Sequence, residues 1–211
     1  MGAAISGEPK IEAPKQLLVE GRTPKLFFEA WLRHLQIKGD IDVQDFRAVN
    51  ELGPYLRVFS SRREFKEKVT ALAIIRDAEQ GPAKNAFDSV GSALQAAGIS
   101  PPSAMAQYST ATPKVGVFIL PDGQNGGMLE DLCWSVLRAR PADPRLECVD
   151  RYVACLRQSN SAIQNESKGK MWAYLAGLGE FDPQVGRAAQ KNVFDWNAAI
   201  FSPLRLFLTS L

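Results

Sequence analysis

Short apolar runs, each followed at once by acidic, proline or glycine residues, recur through the first two thirds of the chain. At 71–75 five apolar residues stand together, and Arg76, Asp77 and Glu79 follow them. An uninterrupted apolar run of this length, ended by turn-forming residues, is typical of a parallel strand buried on both faces. The same pattern predicts strands at 16–19, 46–50 and 114–120.

Between these strands apolar residues recur at helical spacing, which predicts helices at 23–38, 54–68, 82–97 and 128–138. After Pro141 the pattern predicts helices only, at 144–158, 168–178 and 197–209. Alternation of strands and helices favours an α/β fold with a mostly parallel central sheet flanked by helices, and additional C-terminal helices.

One domain is expected from this organisation and from the length of 211 residues. Residues 1–14 mix glycine, proline and charge, which predicts a flexible leader. Residues 15–211 then form a single α/β domain, in which 140–211 is a helical extension packed on the sheet.

Acidic residues follow three of the predicted strands, and the carboxyl ends of parallel strands meet at one edge of a sheet. They are Glu20 after the first strand, Asp77 and Glu79 after the central strand, and Asp122, Glu130 and Asp131 after the last. Carboxylates that share a crevice repel one another unless a cation lies between them, and oxygen ligands suit a hard ion such as Mg²⁺ or Mn²⁺. The spacing therefore predicts a divalent metal site suited to phosphoryl chemistry.

Composition narrows the classes of function without selecting one. The formal net charge is only +2, so nucleic acid would have to bind through a local patch. Three cysteines without a C-x-x-C pair fit a reducing cytoplasm better than a disulfide framework. No apolar run approaches the roughly 18 to 20 residues that span a membrane.

Several familiar chemistries are disfavoured by the residues that are missing. His34 is the only histidine and lies within a predicted helix, so a histidine-rich zinc site is excluded and a catalytic triad would depend on it. The sequence contains no phosphate-binding G-x-x-x-x-G-K-[ST] loop, and no G-x-G-x-x-G follows the first strand.

The motifs at the strand ends resemble those of a known fold. LLVEG at 17–21 resembles the first motif of the Toprim fold, and IIRDAE at 74–79 resembles the second, which is normally Asp-x-Asp. That fold is the catalytic domain of primases, topoisomerases and the overcoming-lysogenization-defect nucleases. Five further segments resemble an uncharacterised prokaryotic Toprim-like family. They are VFILPD at 117–122, GMLEDL at 127–132, KMWAYLA at 170–176, FDW at 194–196 and LRLFL at 204–208.

The resemblance implies Mg²⁺- or Mn²⁺-dependent cleavage of nucleic-acid phosphodiesters, with defence against foreign DNA as a role suggested by the related nucleases. The implied roles are general acid/base or metal ligand for Glu20, metal ligands for Asp77, Glu79, Glu130 and Asp131, and stabilisation of phosphate charge for Lys170. The sequence departs from the motif at Glu79, which is one methylene longer than the usual aspartate.

Structural interpretations of the same residues stay open. Glu20 could cap a turn, the acids at 130–131 could stabilise a helix dipole, and the lysines at 168–170 could begin an exposed helix. The basic residues at 62–68 fit a solvated face or a phosphate-contacting patch. The alternative function is accordingly a non-catalytic Toprim-like module that binds nucleic acid or a partner protein.

Overall fold

A parallel sheet forms the centre of the molecule. The computed structural model describes residues 10–140, 143–159, 163–179 and 182–211. Within them the strand order is β2-β1-β3-β4, and every pair of neighbours is parallel. The strands are β1 (Lys15–Val19), β2 (Ile41–Asp45), β3 (Ala71–Asp77) and β4 (Lys114–Leu120).

Helices cover both faces of the sheet, as a sheet that is apolar on both sides requires. The predicted α/β class, with a central parallel sheet and additional C-terminal helices, is confirmed. In the described residues the helices are α1 (Arg22–His34), α2 (Leu52–Ser61), α3 (Arg63–Lys68), α4 (Ala83–Ala96), α5 (Leu129–Arg138), α6 (Pro144–Gln158), α7 (Glu166–Ala176), α8 (Val185–Gln190) and α9 (Ser202–Thr209).

Alternate residues of the strands face two separate cores. Leu17, Ala73 and Ile75 pack against α1, α5 and the C-terminal helices. Leu18 and Ile74 point the other way, against α2, α3 and α4. The first core contains an aromatic cluster in which Phe27 and Trp31 of α1 meet rings from the end of the chain, which fastens the C-terminal segment to the sheet.

Three elements differ from the sequence expectation. The second strand was predicted at 46–50 and lies at Ile41–Asp45. The helix predicted over 54–68 is two helices, because Arg62 between them is extended (φ −67°, ψ 145°). Helix α8 was not predicted.

Residues 1–9 of the predicted leader lie outside the described part of the chain. Just after them, Ile11 and Ala13 are buried. The backbone N–H groups of Glu12 and Ala13 donate to Oδ2 of Asp42, at 2.6 and 2.7 Å. This stretch is therefore held against the start of β2.

No helix in the described ranges combines the length and the apolar character needed to cross a membrane.

The topology singles out one place on the sheet. After β1 the chain passes through α1 on one face to reach β2, and after β3 it passes through α4 on the opposite face to reach β4. Strands β1 and β3 are neighbours, so the loops that leave their carboxyl ends part to opposite sides. Open α/β sheets hold their ligands in the crevice at such a switch point.

Candidate functional site

A cavity of about 470 Å³ opens at this switch point. Its wall includes Glu20 from the loop after β1, Asp77 from the end of β3 and Glu130 from the first turn of α5. Lys168 of α7 faces the same cavity, and Glu79 forms part of it. The structure thus brings together four of the acids predicted from the sequence, although more than a hundred residues separate the first from the last.

Glu20 lies beside a buried arginine. Arg76 is the residue before the end of β3 and is only 8% exposed, and its Nε atom lies 3.9 Å from Oε2 of Glu20. Both of these atoms are buried and have no hydrogen-bond partner, while Nη1 of Arg76 donates to Oγ of Ser89 at 3.2 Å. Burial raises the pKa of Glu20, the charge of Arg76 opposes the rise, and the charge of Glu79 adds to it.

Asp77 is attached to the N-terminus of α5. Its Oδ1 accepts a hydrogen bond from the backbone N–H of Leu129 at 3.0 Å, and helix N-termini favour a negative charge there. Burial and the neighbouring carboxylates of Glu130 and Glu20 outweigh that contact and raise the pKa of Asp77 to about 7. Asp77 therefore exchanges its proton near neutral pH.

Glu130 is a buried acid of the cavity, with 7% of its surface exposed. Burial raises the pKa of its carboxyl, while the ammonium of Lys168 acts in the opposite direction. An acid in the first turn of a helix is commonly solvated and stabilises the dipole. Burial is not needed for that purpose, and the charge of Glu130 acts on Asp77 while the charge of Lys168 acts on Glu130.

Glu79 lies at the rim of the cavity and is exposed. Its φ of +59° turns the chain away from the extended path, so Asp77 and Glu79 do not continue one strand. The backbone of Glu79 exchanges two hydrogen bonds with Gly127, of 2.9 and 2.6 Å. This pairing holds the loops after β3 and β4 together and leaves the carboxylate of Glu79 at the surface.

Asp131 is engaged in holding the helices. One of its carboxylate oxygens accepts the backbone N–H of Met128 at 2.9 Å, and the other accepts Oγ–H of Ser167 at 2.5 Å. It lines a neighbouring cavity of about 510 Å³, which also includes Glu79. Asp131 thus caps α5 and ties it to α7, beside the main cavity.

The two lysines of α7 differ in their surroundings. Nζ of Lys170 lies 2.6 Å from Oε1 of Glu166, one turn earlier on the helix. Lys168 instead faces the acids, and its charge lowers the pKa of Glu20, Asp77 and Glu130. The i, i+4 spacing of Glu166 and Lys170 is visible in the sequence and was the available sign that Lys170 has a local partner.

Arg76 was missed from the sequence because an arginine that follows five apolar residues looks like the end of a buried strand. In the structure β3 continues to Asp77, so Arg76 lies within the strand. Its guanidinium group lies beside Glu20 and contacts Ser89 of α4. The basic residues at 62–68 precede β3 in the chain and do not line the cavity.

The acids fit a divalent cation by their chemistry. Among the described residues no three His, Cys, Asp or Glu side chains are placed to hold one ion together. Glu20, Asp77 and Glu130 nevertheless interact through their charges, and Oε2 of Glu20 is buried without a donor. Crowded carboxylates with raised pKa values are relieved by a hard cation such as Mg²⁺ or Mn²⁺. Binding one such cation through all three carboxylates would require their side chains to move closer to one another.

Replacing Arg76 by methionine is expected to raise the pKa of Glu20 further, because the buried carboxylate loses its counter-charge. The free energy of unfolding at neutral pH should fall by about 1–3 kcal/mol. Carboxyl ¹³C chemical shifts followed against pH would measure the titration of Glu20, and urea unfolding would measure the stability.

Arg63→Met is the matched control, because Arg63 is 85% exposed and pairs only with Glu67 on its own helix among the described contacts. Its effect should lie within about 0.5 kcal/mol. An unchanged titration of Glu20 in Arg76→Met would show that the two groups are not coupled.

Comparison with known proteins places the chain in a family. Two solved structures of the C-terminal region of the OLD protein of Xanthomonas campestris pv. campestris are similar to it at TM-scores of 0.48 and 0.47. They are 14% and 15% identical to this chain and cover 95% of it and 97% of the solved chains, a likeness that does not by itself indicate a shared activity. No curated protein matches the sequence. A family model matches residues 14–211, and the chain therefore belongs to the family described as "Protein of unknown function (DUF3226)".

Proposed function

We propose that this protein hydrolyses phosphodiester bonds of nucleic acid with the help of a divalent cation, Mg²⁺ or Mn²⁺. The observation that carries the proposal is the convergence of Glu20, Asp77 and Glu130 with Lys168 in one cavity at the switch point. Catalytic sites are places where burial and like charges shift the pKa values of several groups together. The resemblance of the segments at 17–21 and 74–79 to Toprim motifs supports the same activity.

Each side chain of the cavity has a role that follows from its surroundings. Asp77 and Glu130 would hold the cation, with Glu79 at the rim as a further ligand. When bound, the cation would polarise a phosphate oxygen and make a water more acidic. Burial raises the pKa of Glu20, which favours this carboxylate as the group that accepts a proton and returns it.

The two basic side chains of the site, Lys168 and Arg76, act differently. Lys168 faces the cavity, where its ammonium can offset negative charge that develops on the phosphate. Arg76 is buried behind Glu20 and orients that carboxylate. In this proposal Asp131 holds α7 in place through Ser167, while Lys170 pairs with Glu166 within the helix.

One observation favours a second function. The described acids are not arranged around a single point, which fits a non-catalytic module that binds nucleic acid or a protein through the same edge. The two functions differ in whether a metal binds, so one set of measurements separates them.

Calorimetric titration of Mn²⁺ and Mg²⁺ into the wild type and Glu130→Gln tests the proposal. The wild type should bind the metal and cut single- or double-stranded DNA or RNA, and Glu130→Gln should bind it at least about tenfold more weakly because one carboxylate is lost. Glu147→Gln is the control, since Glu147 lies exposed on α6. A wild type that binds neither metal would contradict the proposal and leave the binding module.

A further inference from the structure

An apolar cavity of about 800 Å³ also adjoins the acidic one. It is a groove between α6 and α7, lined by side chains such as Val153, Leu156 and Ala173. Two large aromatic residues on its walls are unusually exposed, Tyr152 at 54% and Trp172 at 55%. Exposed apolar patches bordered by polar groups commonly mark binding surfaces.

The groove and the acidic cavity share part of their walls. Asn165, Lys168 and Trp172 line both of them. Lys168 and Trp172 are one turn apart on α7 and therefore lie on the same side of the helix. A molecule bound across this boundary meets a cation and carboxylates on one side and a flat apolar ring on the other.

We propose that Trp172 stacks against a base of a single-stranded nucleic acid whose backbone enters the acidic cavity. The position of the backbone rests on the function proposed above. A nucleotide chain matches this boundary, because it carries an anionic phosphate for the charged side and a planar base for the apolar ring. Proteins that bind single strands place aromatic rings beside a positively charged groove. At this site Lys168 and the proposed divalent cation would supply the positive charge.

The geometry favours a single strand over a duplex. In a duplex the faces of the bases are stacked on their neighbours and are not available to a tryptophan, whereas in a single strand a base can turn outward. Tyr152 across the groove offers a second ring for the next base. An apolar segment of a protein is the competing occupant, and it would not need the shared wall at Lys168.

Binding of three fluorescently labelled probes tests this inference, with Ca²⁺ present in place of Mg²⁺ or Mn²⁺ as the hard cation that offsets the carboxylates. The probes are a single strand of about 12 nucleotides, an abasic strand of the same length, and a duplex. The proteins are the wild type, Trp172→Ala and Trp172→Phe. Leu206→Ala is the control, because Leu206 is an exposed apolar residue on α9, outside the groove.

Trp172→Ala should weaken binding of the single strand by about 5- to 100-fold, the usual contribution of one stacked base. Binding of the abasic strand should not change, and Trp172→Phe should retain most of the affinity. Leu206→Ala should behave as the wild type. Unchanged affinity of Trp172→Ala for the single strand, or an equal loss on the abasic strand, would overturn the inference and leave a protein segment as the occupant.

Calorimetry with Mn²⁺ on the same proteins separates this inference from the proposed function. If the wild type binds no metal but Trp172 still governs single-strand affinity, the nuclease proposal fails and the stacking site stands. If metal binding and cutting are found while Trp172→Ala binds the single strand normally, only the stacking site fails.

Discussion

Replacing Asp77 by asparagine is expected to stabilise the metal-free protein above neutral pH, by about 2–4 kcal/mol of unfolding free energy. The pKa of Asp77 is raised from 3.8 to about 7 by burial and by the charges of Glu130 and Glu20. The folded protein therefore keeps a proton that the unfolded chain releases, and stability falls as the pH rises through this window. Asparagine cannot ionise, and its Oδ1 can still accept the N–H of Leu129.

Urea unfolding in EDTA at about pH 4 and pH 8.5 measures this effect. The lower pH lies near the pKa of Asp77 in the unfolded chain, and the higher pH lies above its pKa in the folded protein. The variant and the wild type should differ little at the lower pH and most at the higher. Adding Mn²⁺ at the higher pH should stabilise the wild type and not the variant. If Asp77 is the metal ligand proposed above, cleavage should fall by about 100-fold or more in the variant.

Asp122→Asn is the matched control at the same edge of the sheet. Asp122 is exposed, and its carboxylate accepts hydrogen bonds from the backbone N–H groups of Gln124 and Asn125, which hold its pKa below the usual range. Its replacement should therefore leave stability unchanged or lower it at high pH. Equal stabilisation by both variants would show that the effect comes from net charge and not from the cavity.

A sheet of this kind is predictable from sequence where its strands are buried on both faces. Strands β1, β3 and β4 match the predicted runs closely, because each consists mainly of buried apolar residues, although β4 also lies at an edge of the sheet. Strand β2 is an edge strand with only two buried residues, Ile41 and Val43. The predicted strand at 46–50 begins at Phe46, a buried residue just beyond the end of β2.

The acidic site was predictable in outline because parallel strands end at one edge. The positions of Glu20 and Asp77 at this edge could be predicted, since Glu20 directly follows β1 and Asp77 is the last residue of β3. The choice between adjacent or nearby residues needed the structure. Glu130 enters the cavity while Asp131 caps α5, and Lys168 faces the acids while Lys170 pairs with Glu166, because successive helical positions point in different directions.

The membership of a family without an assigned function agrees with the predicted resemblance to an uncharacterised family. The Toprim resemblance and the divalent metal are part of the proposed function, because both depend on particular side chains and not on the sheet alone. Four parallel strands flanked by helices support many chemistries. What separates this chain from a neutral α/β scaffold is the set of buried charges at its switch point.

Replacing Gly186 by valine is expected to destabilise the protein by about 2–3 kcal/mol, because the helices α1 and α8 are packed too closely for a side chain between them. A Cβ atom at Gly186 would lie 2.6 Å from the carbonyl oxygen of Thr23 and 2.8 Å from Cβ of Leu26. The first of these is a backbone atom, so α8 itself must move. Urea unfolding would measure the loss.

The same substitution should also disturb the acidic cavity. Helix α8, which was not predicted from the sequence, would then affect function through the wall of that cavity. Gln184 and Val185 line the acidic cavity beside Thr23, and Oγ1 of Thr23 donates to Oε1 of Gln184 at 3.3 Å. Moving α8 outward would open this wall, so Mn²⁺ affinity should fall together with stability. Gly39→Ala is the control, since a Cβ there meets nothing within 4 Å. Full stability of Gly186→Val would mean that α8 is not packed on α1 in solution and that the cavity lacks this wall.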